Sequence, residues 1–402
     1  MFELEKFISK YVTKRECSMF QNDIEENEEI LEKKIVGKNI LVIGGAGSIG
    51  SSFIKAILKF NPGSLVVVDI NENGLAELTR DLRSNREIKV PENYVTYPMD
   101  FASRVFEKMF CQHKGFDIVA NFSAHKHVRS EKDIYSIEAM IRNNVLNAKK
   151  LLDLLEKYPP EEYFCVSTDK AANPVNIMGA SKRLMEDVIF SYSDKFDVKT
   201  ARFANVAFSN GSLPDGFLAR IAKRQPLSAP IDIKRYFVSP EESGQICMLA
   251  CILGKNREIF YPKLNEAQMM GFDIIAEKLL EEHGYKVLKC NSELEAVEAV
   301  DKLKQDSKYY PVYFSKSNTS GEKDFEEFFT DEEMLDENRL KGLGVIIEKD
   351  IPDKAKILSV FDKLELIFEK EECSKEKIVN IFKEIVPNFM HIEKEKSLDS
   401  KM

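Results

Sequence analysis

Three side chains able to exchange protons or hydrogen bonds stand in a row, Thr168, Asp169 and Lys170, inside the stretch "VSTDKAANPVNIMGASK". A hydroxyl, a carboxyl and an amine on one loop can orient, protonate and deprotonate a single small molecule. On an exposed turn the same trio would be an ordinary ion pair. Here it follows the apolar run "EYFCV", which places it at the end of a strand. Acid–base work sets a demand on each partner: a protonated Asp169 and a neutral Lys170 near pH 7. Burial moves both groups that way, whereas pairing them with each other opposes it. Lys182 lies twelve residues beyond Lys170 and four beyond Met178, so Met178 and Lys182 share one helix face.

A second constellation, "VIGGAGSIGSS", puts Gly44, Gly45, Gly47 and Gly50 between a strand and a helix, with Ser48 and Ile49 opening that helix. Glycines there let a pyrophosphate approach the backbone, and the helix start offers it free N–H groups. The spacing satisfies both GxGxxG and GxxGxxG, and the strand–turn–helix setting is the one a dinucleotide site requires. Asp69 closes "SLVVVD" nineteen residues past Gly50. An acid at that point accepts hydrogen bonds from an adenosine ribose and repels a 2′-phosphate, which favours NAD over NADP. Asp100 ends "PMD" and is placed to reach the adenine edge.

The elements that must hold these residues are legible as an alternation. "NILVIG", "SLVVVD", "YVTYPMD", "FDIVANFSA", "EYFCVSTD" and "VKTARFANV" read as strands, with helical periodicity over 48–60, 72–86, 103–112, 132–157 and on to about Ser193. This predicts an α/β fold built on a doubly wound parallel sheet covered on both faces. We divide the chain into four parts: an N-terminal helical extension over 1–37, a dinucleotide-binding domain over 38–207, a smaller α/β substrate-binding region over 208–350 and a Lys/Glu-rich helical appendage over 351–402. Phe2, Leu4, Phe7, Ile8 and Tyr11 form an apolar stripe on the extension. In the third part "REIFYP" reads as a strand, with helices near 267–283 and 292–306.

Composition narrows the partners. The 402 residues are 44% hydrophobic, enough for a large core, and carry a formal charge of -9, which argues against nucleic acid or an anionic membrane as partner. The seven cysteines form no CxxC pair and suit a reducing cytoplasm, and the five dispersed histidines suggest no metal site. No apolar run is long enough to span a bilayer, and the first fourteen residues are too charged for a signal peptide.

Taken in order, "GKNILVIGGAGSIGSSF", "SAHKHV", "RNNVLNAKKLL", "STDKAANPVNIMGASKR", "RFANV", "RYFVSPEE" and "SGEKDFEEF" give the chain a resemblance to the extended short-chain dehydrogenase/reductases. More narrowly, it resembles the UDP-N-acetylglucosamine 4,6-dehydratases of polysaccharide and glycan biosynthesis, from about Ile35 to Phe329. The resemblance implies a Rossmann-type fold, a tightly held NAD, a UDP-sugar substrate, a cytoplasmic homo-oligomer and a 4-keto-6-deoxy product. It implies that Thr168 bonds the C4 oxygen, Asp169 protonates the departing C6 oxygen, Lys170 removes the C5 proton and Lys182 binds the nicotinamide ribose. Met178 stands where many relatives carry a Tyr, and one active branch of the family shares that Met. Lys126, His127, Asn205, Arg235 and Glu322 fall in segments that shape the sugar-nucleotide half of the cleft; Arg202 does too, and Asn144 matches a family Asn with a structural or proton-relay role.

Three departures from the family pattern stand out: Thr319 and Ser320 before "GEK" in place of Arg-Pro, Arg129 in place of Pro, and a long, charged 263–312 segment. The acceptor of the C4 hydroxyl proton stays open among Asp169, Lys170 and a water. A dehydratase that also inverts C5 and a non-catalytic NAD-binding sensor are the alternatives.

Overall fold

Asn39–Ile43 carries four apolar residues in succession, all buried, and forms the first strand, β1, of the sheet that organises the chain. A run without polar alternation suits a strand covered on both faces. The computed structural model describes residues 2–304, 307–316, 326–348, 351–370 and 373–392. In it the sheet continues with β2 (Ser64–Asp69), β3 (Asn93–Pro98), β4 (Ile118–Asn121), β5 (Glu162–Val166), β6 (Val198–Ala201), β7 (Glu258–Pro262), β8 (Met334–Asp336) and β9 (Leu343–Glu348). The spatial order is β8-β9-β7-β6-β5-β4-β1-β2-β3. From β3 to β7 every neighbour is parallel, while β9 and β8 add antiparallel at one edge.

The winding reverses between β1 and β4, so their carboxyl ends part and leave a crevice. The fold is thus Rossmann-type, as the alternation predicts. The antiparallel edge is not foreseen from that alternation. β7 and β9 meet in the register Tyr261↔Gly344, where a Cβ on Gly344 would lie 2.2 Å from the Tyr261 ring, so glycine is what lets the edge close.

Helices cover both faces. Ser48–Leu58 and Pro240–Leu253 cross on one side through backbone contact, since a Cβ at Gly244 would lie 2.2 Å from the Ser52 carbonyl oxygen. The Pro240 helix opens with a capping box, in which the Ser239 hydroxyl accepts from the Glu242 N–H and the Ser239 N–H donates to the Glu242 carboxylate. On the other side Asn147–Leu155, Ile177–Phe190 and Lys375–Ile385 pack together.

A second, smaller core lies under a three-stranded parallel sheet formed by 286–290, 309–315 and 227–230 in that order. The sequence reading assigned no strand to any of the three and took "RQPLSAP" as turn-rich. Lys286 and Lys289 break the apolar pattern in the first, and Pro311 argues against a central strand in the second. Pro311 is accommodated because it pairs only with Leu288, and pairing to the 227–230 strand begins at Val312.

Both terminal extensions pack on the body of the protein. Phe7, Ile8 and Val12 are buried in the second core, with the Phe7 ring 5.8 Å from Phe208. Arg15 then reaches Glu242 at 2.6 Å. In the appendage, helices Lys354–Phe368 and Lys375–Ile385 bury Ile357, Val360, Phe361, Leu364, Ile378 and Phe382 in the large core. At about 1.5–3 kcal/mol for each large apolar side chain, that face is ample to fix the helices in place. Beyond them the backbone N–H groups of Met390 and Ile392 donate to the carbonyls of Pro174 and Val175.

Candidate active site

The turn after β1 is shaped for a dinucleotide. Gly44 has φ of 74°, and a Cβ there would lie 2.6 Å from the Ser123 nitrogen, so the loops leaving β1 and β4 touch through backbone. Gly50 is as constrained, its Cβ position 2.3 Å from the Gly44 carbonyl oxygen. Gly47, by contrast, has only that oxygen nearby, at 3.4 Å, and leaves the approach to the helix start open. Helix Ser48–Leu58 has no side-chain cap on its first N–H groups, which are therefore available to a phosphate. Ser48 accepts a hydrogen bond from the Asn210 N–H, which brings the turn before the helix Leu213–Ala222 over this cradle, and Ile49 packs against the large core. Asp69 ends β2 and accepts from the Ala46 and Asn71 N–H groups, so its carboxylate is fixed beside the glycine turn. Asp100 is exposed and accepts from the Ala102 N–H. These residues fit a dinucleotide with an acid at the ribose position.

The acid–base loop leaves β5 as the short turn Asp169–Ala171. It rests on the start of helix Ile177–Phe190, where a Cβ at Gly179 would lie 2.5 Å from the Lys170 carbonyl oxygen. Asn176 caps that helix by accepting from the Gly179 N–H at 2.7 Å. Asp169 is buried and accepts from the Thr168 hydroxyl at 2.7 Å and from the Lys170 ammonium at 3.1 and 3.0 Å. Burial works to lower the Lys170 ammonium, but Asp169 and Glu326 outweigh it and hold the group above its ordinary range. The ion pair therefore wins over burial and favours the ammonium form of Lys170.

Met178 and Lys182 lie on the same buried side of this helix. The Met178 N–H donates to Glu131, and its carbonyl accepts from the Ser181 hydroxyl. Lys182 donates to the Val166 carbonyl at 2.9 Å, and burial pushes its ammonium below the usual range. Asn144 sits in a π-helical turn, Arg142–Leu146. Its amide accepts from the His125 N–H and donates to the His125 carbonyl and the Ser181 hydroxyl, tying the loop after β4 to the helix Ile177–Phe190.

A cleft of about 860 Å³ opens in front of Asp169 and Lys170. That is the size range of small-molecule sites. Lys126, His127, Asn205 and Arg235 all line it. Desolvation lowers the Lys126 ammonium, and Asp215 pulls it the other way. Arg202 is placed differently. It is fully buried and bonds Glu186, Glu333 and the Phe328 carbonyl, so it shapes the cleft from behind. Glu322, Thr319 and Ser320 lie outside the described residues.

The sequence reading missed Glu326, four residues beyond Glu322. It is buried at the cleft wall, accepts from the Asn205 amide at 2.5 Å and from the Tyr236 N–H at 3.0 Å, and faces Arg235 at 3.7 Å. Burial first, and the nearby Asp169 second, push its carboxyl up to about 7, with Lys170 and Arg235 opposing. The only hint in the sequence was its place in an acid-rich run beside aromatic residues. The reading also missed the segment from Ser209 to Gly216, a turn that runs into the helix Leu213–Ala222 and lines one side of the cleft.

The polysaccharide biosynthesis protein family matches residues 40–348, and the chain belongs to that family. An uncharacterized membrane protein of Methanocaldococcus jannaschii is 31% identical over 356 residues, which cover 87% of this chain and 96% of that one. The capsular polysaccharide biosynthesis protein CapD of Staphylococcus aureus is 27% identical over 71% of this chain, which spans 47% of CapD, about half its length. The inverting UDP-N-acetylglucosamine 4,6-dehydratase of Campylobacter jejuni is 27% identical over 57% of this chain and 67% of that enzyme. Among the described residues no helix is long and apolar enough to cross a membrane.

Proposed function

We propose that this member of the polysaccharide biosynthesis protein family uses NAD to remove water from a UDP-N-acetylhexosamine, UDP-N-acetylglucosamine first, giving a 4-keto-6-deoxy sugar nucleotide for surface polysaccharide or glycan assembly. The observation that carries the reading is the Asp169–Lys170 pair at the mouth of β5, facing the cleft. Elimination across C5 and C6 needs an acid and a base flanking that bond, which a carboxyl and an amine on one loop can supply, whereas inversion at C4 alone does not need the pair. A cytoplasmic setting and a homo-oligomer belong to the same proposal.

Gly44, Gly47, Ser48, Ile49 and Gly50 on the glycine turn, with Asp69 and Asp100 for its adenosine half, would hold NAD, which would supply the hydride chemistry at C4 and C6. Lys182 serves its ribose. The chain's own residues do the rest. Thr168 turns its hydroxyl to the C4 oxygen. Asp169 takes the C4 hydroxyl proton and later delivers it to the C6 oxygen, which leaves as water, so one carboxyl serves both events. A ketone at C4 makes the C5 proton acidic enough for Lys170 to remove it. Lys126, His127, Asn205 and Arg235 hold the sugar nucleotide, the arginine suited to a diphosphate.

Incubating the purified protein with UDP-N-acetylglucosamine and weighing the product tests this directly. Loss of one water supports it; an unchanged sugar with NAD bound would mark a sensor. The name of the Campylobacter relative favours a second reading in which C5 is also inverted. Proton NMR at C5 of the product separates the two.

A further inference from the structure

Asn205–Val206 and Phe237–Val238 pair in parallel beside the cleft, and the Asn205 N–H donates to the Tyr236 carbonyl at 3.1 Å. That pairing fixes the Asn205 backbone and leaves its side-chain amide two ways round. The two ends of an amide are similar in size and opposite in hydrogen bonding. Whichever end a ligand meets therefore decides whether Asn205 offers it a donor or an acceptor.

Glu326 decides between the two. The Tyr236 N–H donates to Oε2 at 3.0 Å, which leaves Oε1 for the Asn205 amide at 2.5 Å. An ionised carboxylate only accepts, so the Asn205 nitrogen must turn inward to it and the amide oxygen outward. Among the described residues no donor bonds that oxygen, it is not sealed in the interior, and Asn205 lines the cleft.

We propose that Glu326 is a positioning residue for substrate recognition, holding the Asn205 amide oxygen toward the cleft to accept from a donor of the sugar, a hydroxyl or the acetamido N–H. This rests on the UDP-sugar reading above. A phosphate oxygen is excluded as the partner, because it and the amide oxygen both only accept. The diphosphate falls instead to cations such as Arg235, which stands 3.7 Å from the same Oε1. Glu326 is 8% exposed, so water competes little for its bond to Asn205. The charged groups facing it are Asp169 and Lys170 from the loop after β5 and Arg235 from the strand before Tyr236. Burial and Asp169 raise its carboxyl to about 7 against the two cations, so at pH 8 the ionised form prevails.

The test is calorimetric binding at pH 8 of UDP, UDP-glucose and UDP-N-acetylglucosamine to the full chain. Glu326→Gln and the double variant Glu326→Gln with Asn205→Asp are measured beside it. In Glu326→Gln the Tyr236 N–H keeps the new amide's oxygen, so its NH2 group faces Asn205 and turns that side chain over. A donor then meets the donor of the sugar. Binding of UDP-N-acetylglucosamine weakens by about tenfold or more while UDP binds as before. Loss with UDP-N-acetylglucosamine alone assigns the acetamido N–H, and loss with UDP-glucose as well assigns a hydroxyl. In the double variant carboxylate and amide have traded places, an acceptor faces the cleft again, and most of the affinity returns. Undiminished UDP-N-acetylglucosamine binding in Glu326→Gln, an equal loss for UDP, or no recovery in the double variant overturns the proposal.

Should the wild type bind neither UDP nor either sugar, the substrate reading fails on its own, and the amide orientation is read without ligand. Nitrogen NMR of the asparagine side chains then shows one NH2 signal, absent in Asn205→Asp, that shifts as pH passes through about 7. In Glu326→Gln that shift is lost. An Asn205 signal indifferent to Glu326→Gln refutes the positioning role.

Discussion

Arg202 and Arg183 with Glu186 and Glu333 form one buried ionic cluster; Lys170 and Arg235 with Asp169 and Glu326 form another. The formal charges are the same, two of each sign. In the first, the Arg202 fork grips Glu186 at 3.0 and 2.9 Å and Glu333 at 2.7 and 2.8 Å. Burial works against charge on Glu333, but hydrogen bonds from Arg202 outweigh it and hold the carboxyl below its usual range. Each of the two carboxylates there accepts a pair of bonds from one planar guanidinium, with Arg183 adding a single-nitrogen contact to Glu333. In the second cluster the main cation is a lysine, a point charge without a fork, and Arg235 stands off at 3.7 Å. Glu326 is left under-compensated, and its carboxyl rises to about 7. Donor geometry, and not charge count, sets which way a buried carboxyl moves from its ordinary range. The clamp also serves the site, because Arg202 holds the Phe328 carbonyl two residues beyond Glu326.

The largest test of that contrast is Arg202→Met. It strands two buried carboxylates, and unfolding in urea should show a loss of about 3–5 kcal/mol. A small loss would mean the clamp is no clamp. Asp169→Asn in the second cluster should leave the urea midpoint nearly in place while turnover falls by about a hundredfold or more. Dehydration by Asp169→Asn at a near-normal rate would remove Asp169 from the proton path. Third, Glu326 should make stability fall as pH rises. Its folded carboxyl titrates near 7, above the ordinary 4.5, so the folded state binds the extra proton between those values. Stability is therefore highest below about pH 4.5 as far as this group is concerned, and declines up to about 7 by on the order of 2 kcal/mol. Glu326→Gln should flatten that slope in urea titrations at pH 5 and pH 8. Smallest is Arg183→Met, at the rim of the clamp with 18% of its side chain exposed. It should cost about 1 kcal/mol, and a larger loss would show that the clamp depends on both arginines.

Much of this was legible beforehand, for identifiable reasons. β1, β2, β4 and β5 are buried on both faces and read as unbroken apolar runs, so strand and helix alternated plainly in the sequence. β8 and the strands at 286–290 and 309–315 lie at an edge or in the small sheet, where lysines, a proline and short length blur the period of two. The acid–base loop announced itself because its three reactive residues are consecutive. Glu326 did not, since its importance comes from Asn205, Tyr236 and Arg235, which folding brings from 90 or more residues away. Arg202 misled for the opposite reason: it sits in a site-like segment but its side chain turns inward.

The hydrogen bonds from Met390 and Ile392 to Pro174 and Val175, with the Asn388 amide on the Ala172 carbonyl, have a consequence in time. The loop carrying Asp169 and Lys170 leaves the ribosome more than two hundred residues before the segment that pins it. At roughly 5–20 residues per second, the nascent sheet waits about 10–40 s for that strap. The parallel sheet assembles from the early chain, but the loop after β5 gains its outer support only after residue 392 has been made, so synthesis itself orders the scaffold before the loop that lines the cleft.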